Sequence, residues 1–253
     1  MVKILLVGCL GRMGRILTDL ASSSESILIA EGVDQYAGSA KDTGYPVRKS
    51  LAECDQEADV LVDFSNAGAL EEILAHITGR NMPAVLCATG YSREQLDEVQ
   101  KASEKCAILR SSNMSIGINL IEELLEEISG KLLEAGFDCD IVEKHHNQKL
   151  DAPSGTAISL GESVRTGAGK ELEFVYDRST RRAKRPADES GFSSVRGGTI
   201  VGEHEVIFAG TDEVITLKHE AFSRAVFGKG ALEAAGFLKG KAPGMYTMRD
   251  VLK

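Results

Sequence analysis

An α/β fold with a second, α+β unit is predicted by three observations. Short apolar, β-branched runs alternate with helical periodicity through the first hundred residues. A glycine-rich turn joins the first such run to the first helix, and after Asn113 the runs begin to alternate in polarity. With 253 residues, 43% hydrophobic and 26% charged, the chain suits one large folded domain or two modest ones. A net charge of −9 argues against nucleic acid or an anionic membrane as partner, and no apolar stretch approaches the length of a membrane span. The five cysteines form no C-x-x-C pair and have no histidine spacing that suggests zinc, so reduced thiols in a cytoplasm and no metal are expected.

Residues 3–7 read as a strand, and Gly8-Cys9-Leu10-Gly11-Arg12-Met13-Gly14 follows as the turn. Met13, Ile16, Leu17, Leu20 and Ala21 then recur at helical spacing. Glycines in such a strand–turn–helix let backbone N–H groups at a helix start approach a pyrophosphate, the device of a Rossmann-type parallel sheet. The pattern is a variant, because the usual G-x-G-x-x-G would need glycine where Cys9 stands. A second strand, 27–33, ends in Asp34, about 20 residues beyond the last glycine, the spacing of a ribose-binding carboxylate. Gln35 follows with no adjacent arginine, so NADH is the first choice, with NADPH not excluded.

Further βα units follow. Residues 60–65 form a strand before a helix through Leu70, Ile73, Leu74 and Ile77; residues 84–90 form another before Leu96 and Val99; a third pass ends in Arg110-Ser111-Ser112-Asn113. Small or polar residues at each strand end line the rim where an open parallel sheet binds ligands. Beyond them, a helix over 119–133 with Glu122, Glu123, Glu126 and Glu127 on its solvent side leads into alternating strands at 137–142, 172–176, 192–196, 205–209 and 214–219. One helix, 156–164, interrupts them, and a mixed or antiparallel sheet is expected. The basic run Arg178, Arg181, Arg182, Lys184 and Arg185 reads as a solvated loop. The last helix, 225–238, packs back on the first sheet. Two domains result: 1–114 with 224–253, binding the dinucleotide, and 115–223, binding substrate. The chain crosses between them twice, which makes a hinge.

Glu143-Lys144-His145-His146-Asn147-Gln148-Lys149-Leu150-Asp151-Ala152-Pro153-Ser154-Gly155-Thr156-Ala157 is the densest chemistry in the chain. His145 and His146 should emerge from the end of the 137–142 strand. Ser154 reads as a helix N-cap, so the backbone at Gly155 and Thr156 faces the same loop. This is a proton donor beside an anion cradle, where a carboxylate would be well held.

Gly8-x-x-Gly11-Arg12-Met13-Gly14, Asp63-Phe64-Ser65, Ser112-Asn113-Met114-Ser115-Ile116-Gly117, His145-His146-x-x-Lys149-x-Asp151-Ala152-Pro153-Ser154-Gly155-Thr156-Ala157, Ser194-Val195-Arg196-Gly197-Gly198 and Val201-Gly202-Glu203-His204 resemble the 4-hydroxy-tetrahydrodipicolinate (dihydrodipicolinate) reductase family. The resemblance extends to Met248-Arg249-Asp250-Val251-Leu252, and the His-His to Thr-Ala block is its most specific part. It implies an NAD(P)H-dependent oxidoreductase of the diaminopimelate route to lysine and a homotetramer joined through the sheets of the second domain. By position, His145 would be the proton donor and Lys149 its catalytic partner, and His146, Gly155 and Thr156 would bind substrate. The nucleotide would meet Gly8, Cys9, Leu10, Gly11, Arg12, Met13, Asp34, Cys87, Ala88, Thr89, Ser111, Ser112, Asn113 and Met114. Cys87-Ala88-Thr89-Gly90 departs from the family's usual Gly-Thr-Thr-Gly. Another NAD-dependent reductase would keep the glycine turn and Asp34 without needing the histidine block; a non-catalytic nucleotide-sensing module would bind NADH without turnover.

Overall fold

The computed structural model describes residues 1–40, 42–179 and 181–253. The chain opens with β1 (Val2–Val7), α1 (Arg12–Ser22), β2 (Ile27–Val33), β3 (Val47–Arg48), β4 (Val60–Asp63), α2 (Leu70–Arg80), β5 (Ala84–Leu86), α3 (Arg93–Ala102) and β6 (Ala107–Arg110). It continues through α4 (Ile116–Glu134), β7 (Asp138–His145), α5 (Gly155–Ala168), β8 (Glu173–Val175), β9 (Glu189–Arg196), β10 (Gly202–Ala209) and β11 (Val214–Ala221), and closes with α6 (Ala225–Leu238), β12 (Gly244–Tyr246) and α7 (Met248–Val251). Two compact units form, Met1–Ser115 with Arg224–Lys253, and Ile116–Ser223.

In the first unit seven strands lie in the order β12-β6-β5-β4-β1-β2-β3, all pairings parallel. Such a sheet is buried on both faces, which explains why β1 reads as a continuous apolar run. Ile4 and Leu6 face a core shared with Leu17 of α1 and Ala231 and Ala235 of α6; Leu5 and Val7 face Ile73 and Ile77 of α2 and Val99 of α3. The order reverses beside β1, so the carboxyl ends of β1 and β4 flank a crevice. Strands β3 and β12, of two and three residues, were too short to show a period in the sequence.

In the second unit the order is β11-β10-β7-β9-β8, with β7 antiparallel to β10 and parallel to β9. Inward-facing Cys139, Ile141, Val206, Phe208 and Phe192 pack on Leu125 of α4 and Leu160 and Val164 of α5. Three expectations are corrected here. Strand β7 runs on to His145 instead of ending at Val142, because its ladders continue through polar pairs: Lys144 opposite Glu203 and His145 opposite Arg196. Glu122 is not on the solvent side of α4; it is buried and accepts the Ser159 hydroxyl of α5. The basic run is not simply solvated, since Arg178 and Arg181 pair with buried Glu189 and Arg185 pairs with Asp140 and Asp138.

Candidate active site

The first unit carries a cleft of about 670 Å³ at the β1 and β4 ends, lined by Gly8, Leu10, Gly11, Asp34, Tyr36, Lys49 and Ser65 among others. That size is usual for a small-molecule site. Its floor depends on two glycines. Gly8 has φ +78°, and a Cβ there would sit 2.7 Å from the Phe64 carbonyl oxygen; a Cβ on Gly14 would sit 2.3 Å from the Gly8 carbonyl oxygen. Helix α1 therefore closes directly on the turn, and its N-cap, Gly11, makes no side-chain cap bond. Asp34 ties the region together, accepting the Leu10 N–H at 3.0 Å on one oxygen and the Tyr36 N–H at 3.0 Å on the other. A cradle that side chains would fill, a helix N-terminus and a carboxylate at the end of β2 fit a dinucleotide.

Other nucleotide candidates are placed less directly. Cys9 replaces a glycine without filling the cleft, because its side chain turns into the core over Gly32, where a Cβ would meet its Sγ at 2.7 Å. The Met114 side chain is also in that core, and the Ser111 hydroxyl accepts the Met248 N–H at the start of α7. For Cys9 and Met114, backbone alone is left for a ligand. Arg12, Thr89 and Ser112 are exposed, Met13 is half-buried, and Asn113 accepts the Ser115 N–H. Ala88 is buried, and burial, then the nearby Asp63, pushes the Cys87 thiol well above its ordinary range. Asp63, at the end of β4, accepts the Ser65 N–H and the Tyr91 hydroxyl and so joins the loops after β4 and β5.

In the second unit an inward-facing row changes character along β7. Cys139 and Ile141 are core; Glu143 and His145, two and four residues on, face the same way and are 1% and 8% exposed. Glu143 accepts from the two terminal guanidinium nitrogens of Arg196, Nη1 at 2.8 Å and Nη2 at 2.7 Å, and from the Ser154 N–H at 3.2 Å. His145 Nδ1 also donates to it, at 2.6 Å, since a carboxylate held like this can only accept. Burial alone would raise the Glu143 pKa, but the bonds from Arg196, Ser194 and His145 bring it down to about 2. Burial lowers that of His145, Glu143 opposes the change, and Lys149 and Arg196 add to it.

Around this pair the loop and helix take the expected arrangement. Ser154 caps α5 by accepting the Ala157 N–H at 3.1 Å, and Gly155 and Thr156 form its first turn. Lys149 lies 2.9 Å from Asp151, and the Asp151 carbonyl accepts Arg196. His146, half-buried, follows the strand, and its carbonyl accepts the Lys149 N–H. The His204 ring stands edge-on to His145 at 5.1 Å, with Nε2 2.9 Å from the Ser154 hydroxyl. Glu143, Arg196 and His204 stand in the motifs singled out from the sequence, but no individual role was read for them there. The signal for Glu143 and His204 was period-two continuation of apolar rows, 139-141-143-145 and 208-206-204, into polar residues; Arg196 is brought in by the pairing of β9 with β7. Among the described residues no group of three or more metal-ligating side chains occurs, and no helix is long and apolar enough to cross a membrane.

Comparison with known proteins accounts for both units. Family models described as dihydrodipicolinate reductase, N-terminus and C-terminus, match residues 2–114 and 117–252. The protein named 4-hydroxy-tetrahydrodipicolinate reductase in Clostridium novyi (strain NT) is 46% identical over 253 residues, covering 100% of this chain and 99% of that one. Its namesake in Clostridium tetani (strain Massachusetts / E88) is 47% identical over 252 residues, covering 100% and 97%. Among solved structures, a dipicolinate-bound dihydrodipicolinate reductase from Paenisporosarcina sp. TG-14 superposes with TM-score 0.76 at 22% identity over the whole of both chains. GenD2 from gentamicin A biosynthesis, in complex with NAD, does so with TM-score 0.63 at 14% identity, covering 99% of this chain and 90% of that one, and shares the fold. The chain belongs to the 4-hydroxy-tetrahydrodipicolinate reductase family and is an oxidoreductase of lysine biosynthesis.

Proposed function

We propose that residues 1–114 with 224–253 bind NADH in preference to NADPH, and that 115–223 bind a cyclic dicarboxylate whose reduction His145 completes by donating a proton. The observation that carries this reading is the His145 imidazole held through Nδ1 by Glu143 beside Lys149 and the first turn of α5. The nicotinamide cofactor, when bound, would supply the hydride of the reduction, and the two-electron change would be completed by one proton. His145 is suited to supply it, since an imidazole's ordinary range lies close to neutral pH and Glu143 works against the lowering that burial imposes. Lys149 offsets negative charge as the proton moves. Gly155 and Thr156, at the positive end of α5, and His146 take the carboxylates and fix which ring face is presented.

NADH preference rests on Asp34, which offers a carboxylate where NADPH would bring a phosphate. Lys49 lines the same cleft as a cation that no sequence spacing linked to Asp34, and it favours the phosphate. The two together support binding of both nucleotides with NADH the tighter. A homotetramer is supported by the second sheet. Its helices cover one face, while the other displays Lys144, Glu203, Glu205 and Lys218 in mutual ion pairs, with exposed Val195 and Val214 on the same sheet. The deciding experiment is NADH and NADPH oxidation with the freshly generated product of the preceding synthase. Turnover with both and a lower KM for NADH is expected, whereas binding without turnover would leave a nucleotide sensor.

A further inference from the structure

We propose that Glu143, clamped by Arg196, is a positioning residue for His145: it fixes the imidazole through Nδ1 and leaves Nε2 as the nitrogen that passes a proton to substrate. This rests on the reading of His145 as the donor. Five donors converge on the buried carboxylate: Arg196 Nη1 and Nη2, the Ser154 N–H, His145 Nδ1 and the Ser194 side chain. Two-pronged arginine contact sets the plane of the carboxylate as well as its charge, so the ring it holds is oriented too. Strand register makes the arrangement possible. Glu143 and His145 share a face of β7, and Arg196 is the residue of β9 paired with His145.

The opposite side of the ring is kept clear by an absent side chain. Gly202 begins β10, and a Cβ there would lie 3.1 Å from His145 Nε2 and 3.4 Å from its Cδ2. The charged and titratable neighbours come from every surrounding element: Glu143 on β7, Lys149 and Asp151 on the following loop, Arg196 on β9, His204 on β10 and, behind it, His219 on β11. His204 titrates at about 3 because burial, then His145, opposes its charge, so it stays neutral beside a charged His145. Lys149 and Arg196 oppose the imidazolium, and Glu143 favours it through both its charge and its hydrogen bond. Without that carboxylate the proton donor would be both misaligned and depleted of its proton.

Glu143→Gln keeps the shape and removes the charge. In the full-length enzyme, two readouts are taken: titration of the His145 imidazole by NMR without substrate, and kcat against pH with NADH. The imidazole should take up its proton at lower pH than in the native enzyme. At pH 8, kcat should fall roughly 10- to 100-fold, the usual loss when a partner that orients a functional histidine is removed, and part should return as the pH is lowered. KM for NADH should not move. Glu143→Asp, which retains the charge but withdraws it from Nδ1, should shift both readouts in the same direction by less, and serves if the glutamine variant does not fold. An unchanged His145 titration in the variant that folds would make Glu143 merely structural and overturn the proposal. A shifted titration with unchanged kcat would instead remove His145 as the donor, and the proposal with it.

Discussion

In the seven-stranded sheet the candidate nucleotide chemistry begins where the strands end: β1 from Ile4 onward, β4 as far as Val62 and the whole of β5 are apolar, and Gly8, Asp34 and Ser65 stand beyond the carboxyl edge. In the five-stranded sheet it begins inside the ladders, where Glu143, His145, Arg196 and His204 are themselves strand residues paired with one another's strands. The difference follows from what each half must recognise. A pyrophosphate can be held by backbone N–H groups, so a loop and a helix start suffice; the buried charge inside this sheet, Glu31 of β2 paired with Arg48 of β3, is tied up away from the glycine turn. A proton donor needs a fixed ring and a tuned charge, which loops supply poorly and a ladder supplies well. The cost is that the second site is built from buried ionisable groups, whose protonation is coupled to folding.

The largest effect that would test this division is His145→Ala. Loss of a positioned proton donor should lower kcat roughly 10²–10⁴-fold while the dissociation constant for NADH, measured by fluorescence titration, stays within about twofold because the nucleotide groups belong to the other unit. Near-normal turnover would move the donor to Lys149 or a bound water.

Next in size is the acid sensitivity expected of the second unit. His204 takes a proton near 6.5 in the unfolded chain but only at about 3 when folded, so the unfolded state binds more protons and stability falls as pH drops from 6.5 toward 3. Glu143 acts lower down: its folded value of about 2 against an ordinary 4.5 contributes stability above 4.5 that is lost between 4.5 and 2. Thermal melts from pH 8 to 4 should lose on the order of 3 kcal/mol, most of it below pH 6.5. His204→Asn should flatten the segment above pH 4.5. An unchanged slope in that variant would place the acid sensitivity elsewhere.

A smaller effect separates the nucleotide half. Asp34→Ala should weaken NADH binding roughly 10-fold or more, the loss of hydrogen bonds to a charged acceptor, and weaken NADPH binding less. Because Asp34 also holds the Leu10 N–H, some loss with both cofactors is expected. Equal loss for the two would mean that the carboxylate only shapes the turn.

Much of the first unit was legible in the residues because its signals are local. The β-branched runs, the glycine turn and the spacing to Asp34 each depend on a short span of chain, and 27–33 and 225–238 agree with β2 and α6. The Ser154 cap was legible for the same reason. The end of β7 was not: apolar alternation stops at Val142 although hydrogen bonding does not, since Lys144 and His145 find their partners on β10 and β9. Glu122 misled in the opposite way, as an acidic residue among acidic neighbours that turns inward to Ser159.

By itself, then, the order of amino acids determined the α/β class, the glycine turn with Asp34, and the block from His145 to Thr156, because periodicity, capping and backbone freedom are settled within a few residues. Tertiary structure alone decided that Arg196, 53 positions from Glu143, clamps it, that Gly202 leaves room at His145 Nε2, and that Cys9 turns away from the cleft over Gly32. Each of those depends on strand register and on the space between elements distant in sequence, and a single residue's neighbours along the chain carry no record of either.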